Sequence, residues 1–211
     1  MVIKIRLGPE YGGTNYALWL IAGLLPWLFF AEAVNRAPNG VVGNSNLIKK
    51  MVFPSEIMPF VHLVVALVNH LIGVGILFGF LLFLDYGVSL KILLIIPYIL
   101  AISIFILGIS WFLSALNVFL RDVGQIIGVL VYLWFFLTPI LYTPQMIPES
   151  LQGVFSLNPM LHAIEGYRIA VLDKVEMDIA GLVYLLFCSL FIFVLGALTF
   201  KRLKPEFADV L

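Results

Sequence analysis

N-S-N-L-I-K-K-M-V-F-P-S-E-I-M-P, residues 44–59, is a polar interruption between two long apolar runs. Leu47, Ile48, Met51 and Val52 fall at helical spacing on one face, with Lys49 and Lys50 off it. Pro54 stops such a helix, because the residue before a proline is pushed away from the right-handed helical region. The stretch therefore reads as a short amphipathic helix between two membrane spans. Its apolar face suits either the membrane surface or a groove on a partner.

The runs on either side set the class. Of 211 residues, 63% are hydrophobic and 11% charged, whereas soluble domains are about half apolar and about a quarter charged. The apolar segments are continuous rather than alternating, which excludes barrel strands. Their length matches the roughly 20 residues a helix needs to cross a bilayer. An all-α integral membrane protein follows, one domain over 1–211, with five spans expected near 16–34, 60–84, 92–116, 125–142 and 179–200. The formal net charge of zero offers nothing to nucleic acid. Cys188 is the single cysteine, which excludes an internal disulfide. The opening M-V-I-K-I-R-L-G-P-E holds no signal-peptide core.

Within the spans, Pro26 fits a hinge or an ordinary membrane proline. Asn69 and His70 lie mid-span, where polar groups are costly and face protein or water. They read as a proton relay or, more commonly, as helix-to-helix hydrogen bonds. Ser103, Ser110 and Ser114 fall near one face of the third span and let a helix approach. The turn N-V-F-L-R-D-V-G-Q, 117–125, carries adjacent Arg121 and Asp122. Five aromatics, Tyr132, Trp134, Phe135, Phe136 and Tyr142, crowd the end of the fourth span. They exceed what an interfacial belt requires, and aromatic faces stack on sugar rings. Residues 143–177 are apolar yet broken by prolines, and read as two short helices, Glu149–Leu157 and Pro159–Leu172, in a re-entrant or interfacial position. Asn158 caps the second, and Glu165 and Arg168 are spaced to pair.

Basic residues orient the chain. Segments 35–58, 117–124 and 201–211 hold seven: Arg36, Lys49, Lys50, Arg121, Lys201, Arg202 and Lys204. The opposite side holds five: Lys4, Arg6, Lys91, Arg168 and Lys174. The amphipathic helix and the C-terminus are thus expected in the cytoplasm, and the 143–177 segment outside. No G-x-x-x-x-G-K-[ST] phosphate loop and no H-E-x-x-H or paired-cysteine metal motif occurs. An energy source has to connect from outside the chain.

W-L-I-A-G-L-L-P-W (19–27), the 44–59 stretch, N-V-F-L-R-D-V (117–123), T-P-I-L-Y (138–142) and L-N-P-M (157–160) together resemble the permease subunits of type-2 ABC exporters. Within them the likeness is to those exporting O-antigen, capsule or teichoic-acid polymers. The resemblance implies that Asn44, Asn46, Leu47, Ile48, Lys49, Lys50, Met51, Phe53 and Pro54 form a coupling helix on a separate ABC ATPase, which binds the ATP and Mg. It implies that Arg121 and Asp122 lie at the same cytoplasmic face, that the half-helices cap the outer mouth, and that the five aromatics line the path of a lipid-linked glycan. Two permeases and two ATPases would form one exporter in a bacterial cytoplasmic (inner) membrane, with no catalytic residue in this chain. The family pattern has six spans. The opening of this chain resembles the end of a missing first span, so a fragment or a mis-assigned start is expected. A drug or lipid permease of the same fold is the near alternative. A membrane enzyme on lipid-linked intermediates, centred on Asn69 and His70, and a passive scaffold are the readings from other classes.

Overall fold

The computed structural model describes residues 15–46, 54–83, 90–172 and 177–211. These form helices throughout: α1 (Tyr16–Arg36), α2 (Asn39–Val42), α3 (Ile57–Phe83), α4 (Ile95–Phe119), α5 (Val123–Phe136), α6 (Glu149–Ser156), α7 (Pro159–Leu172), α8 (Ile179–Leu203) and α9 (Phe207–Val210). Short 3-10 turns precede α4, lie at Pro144–Met146 and follow α8. Among the described residues there is no β-strand, so the chain is an all-α membrane protein.

Among the described residues, four stretches are long and apolar enough to cross a bilayer: α1, α3, α4 with its preceding turn, and α8 with its following turn. Asn15 starts α1 by accepting from the Ala17 amide at 2.9 Å. Arg36 sits in its last turn, where a cation complements the helix dipole. Pro26 lies buried inside it. Pro59 occupies the first turn of α3, where a missing N–H does least harm. Asp178 caps α8 by accepting from the Gly181 amide at 2.9 Å.

α5 is the exception. A fourth span over 125–142 is expected, but the helix covers 14 residues, Val123–Phe136. At about 1.5 Å per residue it falls short of the roughly 30 Å hydrocarbon core. The physical reason lies just beyond it. The Thr138 hydroxyl turns back to Trp134 O at 2.8 Å, and Pro139 has no N–H to continue the ladder and crowds the preceding turn.

Packing is densest between α4 and α8. Gly108 and Gly196 meet there backbone to backbone: a Cβ on Gly196 would lie 2.0 Å from Gly108 O, and one on Gly108 would lie 2.6 Å from the Ile192 carbonyl. Small residues at such a crossing let main chains approach closely in lipid. The core continues across the bundle as an aromatic cluster. Trp134 stands edge-on to Phe30 at 5.1 Å and to Trp27 and Phe105 at 6.4 Å, and Phe135 lies 5.7 Å from Trp27. The outer faces of α3 and α8 are apolar and exposed, from Val61 to Ile76 and from Val183 to Leu198, as lipid contact requires.

Candidate functional site

The two ends of the bundle differ in chemistry. At one end three separate stretches converge: the segment after α1, the turn after α4 and the C-terminal region. Asn117, near the end of α4, is buried; its side chain donates to Pro38 O at 2.9 Å and accepts from the Gly124 amide at 3.1 Å. That pair of bonds fixes the Arg121–Asp122 turn beside α2. Val41, Ala115, Val118, Phe200 and Phe207 form a common apolar cluster under it. Arg121 and Asp122 are both exposed. The structure thus brings together three of the segments that the basic-residue count assigns to one side.

The stretch 44–54 leaves from this end. Asn44 donates to Gly40 O at 2.9 Å, Asn46 is exposed, and Pro54 is exposed. Leu47, Ile48, Lys49, Lys50, Met51 and Phe53 lie outside the described residues. The chain returns at Ser55, which is buried, and at Glu56. The Glu56 carbonyl accepts from the Trp111 indole N–H at 3.1 Å, and its carboxylate pairs with Lys204. So the exit from the 44–54 stretch is tied both to α4 and to the turn after α8.

Partial burial acts to raise the Glu56 pKa, but the hydrogen bond and charge of Lys204, with a backbone bond, outweigh it and hold the carboxyl below its ordinary value of 4.5. A depressed carboxylate pKa stabilises the folded state above the unfolded-state value, and that contribution is lost as pH falls through the folded value. The tie is therefore complete at neutral pH. Acidification below about pH 4.5 is expected to lower the melting temperature of the wild type more than that of Glu56→Gln, measured by thermal unfolding in detergent between pH 7 and pH 3. Parallel curves would show that the pair contributes no acid-sensitive stability.

At the opposite end the apolar half-helices α6 and α7 lie against the broken end of α5. Asn158 accepts from the Met160 amide at 3.0 Å, which makes it the cap of α7 that the L-N-P sequence predicts. The same side chain accepts from the Trp134 indole at 3.1 Å and donates to the Thr138 hydroxyl at 2.9 Å. One asparagine thus joins α5, the break after it and α7. Trp134, Leu137, Val154, Phe155, Leu157, Asn158 and Pro159 line a cavity of about 360 Å³ at this junction.

Arg168 forms a second junction, and it is only 3% exposed. It donates to Pro139 O and Ile140 O, each at 3.0 Å, and pairs with Glu165 at 2.6 Å. Its guanidinium lies 3.4 Å over the Trp19 ring of α1 and against Gly23. Sequence spacing predicts the Glu165 pair but not the rest. A cation in an apolar half-helix is the signal that points to it.

The five aromatics fall into two groups. Trp134 and Phe135 are half-buried and belong to the central cluster. Tyr132 and Phe136 are exposed and meet edge-to-face at 5.1 Å on the outer side of α5. Tyr142 is half-buried, and its hydroxyl donates to Phe136 O at 2.9 Å. Residue type alone does not separate the groups; the helical phase of α5 does.

Asn69 and His70 both make helix-to-helix bonds. Asn69 donates to Glu32 on α1 at 2.7 Å, and Glu32 also pairs with Arg36 at 2.9 Å. The His70 ring bonds the Tyr167 hydroxyl on α7 at 2.7 Å. Among the described residues no group of three or more His, Cys, Asp or Glu side chains is placed to hold a metal ion.

Long apolar helices, an end that gathers the loops and a far end of half-helices describe a multi-span membrane domain. Residues 3–172 match the family described as ABC-2 type transporter, and the chain belongs to that family. Two proteins of Klebsiella pneumoniae, each named O-antigen export system permease protein RfbA, are 33% and 31% identical to it over 200 and 199 residues. Each alignment covers 93% of this chain and 76% of the relative. A protein of the same name from Myxococcus xanthus is 28% identical over 199 residues, covering 92% of this chain and 76% of that relative. Membership brings a membrane setting and a partner ABC ATPase.

Proposed function

We propose that this chain is the permease subunit of an ATP-driven exporter that moves a lipid-linked polysaccharide of the O-antigen type across the bacterial inner membrane. The observation that carries the reading is the likeness, along almost the whole chain, to permeases named for O-antigen export. The chain holds no phosphate-loop motif, so ATP and Mg belong to the partner ATPase. The end that gathers Asn44, Asn46, Pro54, Arg121, Asp122 and the C-terminus faces the cytoplasm. The coupling role is assigned to the 44–54 stretch at this end, with the charges of Lys49 and Lys50 complementing acidic groups of the ATPase. Two copies of the chain form the passage between them.

The exposed pair on α5 is where the glycan path is assigned. Both rings are exposed and lie outside the Asn158 junction, and Phe136 touches the central cluster only at its edge, through Phe135 at 5.3 Å, so removing them is expected to spare the fold. The double variant Tyr132→Ala/Phe136→Ala is expected to assemble with the ATPase as the wild type does. Export should fall by about tenfold, which corresponds to a loss of roughly 1.4 kcal/mol of contact with the glycan. Surface polymer, quantified in cells whose own copy is deleted, reads this directly. Wild-type surface polymer from the double variant would show that these rings face lipid only. Polymer on the surface of the deletion strain without complementation would reject the exporter reading itself.

A further inference from the structure

The Arg168 junction carries more than local stability. The helix break after Phe136 leaves carbonyls without helical donors, and in an apolar setting such groups need partners. Arg168 supplies two of them, at Pro139 and Ile140, from a different element, α7. Its flat face lies on Trp19, near the start of α1. A Cβ on Gly23 would lie 2.8 Å from the guanidinium, so the glycine makes room for it. Tyr16 adds a bond from α1 to Leu141 O at 3.0 Å. One planar cation therefore joins α1, the broken end of α5 and α7. The far end of α1 runs through Pro38, held by Asn117, directly into the 44–54 stretch.

We propose that Arg168 is a positioning residue for transport: it couples the outer end of α1 to the α5 break and α7, so that displacement of α1 by the coupling helix moves the half-helices at the outer mouth. The inference rests on the proposed function, in which 44–54 receives work from the ATPase. Lysine cannot replace the fork. It is a point charge on a flexible stem, with neither the two parallel N–H groups nor the stacking face.

The test uses the complete complex with its ATPase in vesicles, and three readouts: co-purification of the ATPase, ATP hydrolysis and export of lipid-linked glycan. Arg168→Lys is expected to leave co-purification and hydrolysis within about twofold of wild type while export falls by about tenfold or more. Gly23→Ala keeps every polar group and displaces only the guanidinium; it should show the same split with a smaller loss. A residue with only a structural role would lower all three readouts together. Normal export from both variants, or loss of assembly by both, would overturn the proposal. If Arg168→Lys alone fails to assemble, Gly23→Ala decides: hydrolysis without export supports the link, and normal export rejects it. Absence of ATP-dependent export by the wild-type complex would instead reject the exporter reading on which the link rests.

Discussion

Exchanging Lys49 and Lys50 for glutamate is expected to abolish co-purification of the ATPase and to reduce export to background, while the membrane domain itself folds normally. The two lysines sit off the apolar face of the 44–54 stretch. Neither is needed to bury Leu47 or Ile48 against a partner. Reversing two charges converts two attractions into two repulsions, and like-charge juxtaposition at an interface costs several kcal/mol. Each 1.4 kcal/mol is about tenfold in affinity, so a loss of more than about a hundredfold is expected. The variant should run as wild type in thermal unfolding of the isolated permease. The exit of the segment is tied to the bundle through Glu56, Trp111 and Lys204, which the substitutions leave in place. Unchanged complex formation and export would remove the coupling assignment.

The second large effect is structural. Gly196→Leu is expected to prevent accumulation of folded protein, and Gly196→Ala to destabilise it strongly. Any Cβ at this position meets the Gly108 carbonyl at 2.0 Å, and backbone cannot swing aside as a flexible side chain can. The helices must separate along the most extensive contact in the bundle. Overpacking costs about 1–3 kcal/mol even where neighbours yield. Close approach is also a main source of helix association in lipid, where no hydrophobic drive remains. Alanine at Gly75 or Gly79, each with open space around it, should be neutral. Detergent-solubilised yield and melting temperature separate the two sets; equal behaviour would contradict the packing.

Much of the fold was legible because apolar length and proline placement are local signals. The start of α7 follows from Asn158, whose side chain accepts from the Met160 amide, whereas the caps of α1 and α8, Asn15 and Asp178, are visible only in the structure. The half-helices α6 and α7 fall where the prolines and Asn158 place them. The end of α5 is not legible from apolar length, which continues past Phe136, whereas Thr138 and Pro139 end the helix first. Long-range partners were not legible. Periodicity pairs Glu165 with Arg168, but nothing local brings Trp19 or the Pro139 carbonyl to it. Asn117 was visible only as part of a motif, and its role as the pin between Pro38 and Gly124 depends on the packing of two distant segments. The aromatics needed the phase of α5 before Tyr132 and Phe136 separated from Trp134 and Phe135. Of the two readings open for Asn69 and His70, the structure shows the helix-to-helix hydrogen bonds, since each finds a partner on another helix.

The most direct test of the exporter reading is transport by inverted membrane vesicles that contain this chain and its ATPase, supplied with labelled lipid-linked polysaccharide on the outer, cytoplasmic face. Label is expected to become protected inside the vesicles only when ATP and Mg are added, and protection to be lost when either subunit is omitted. Protection that is independent of ATP, or that persists without this chain, would contradict the exporter reading.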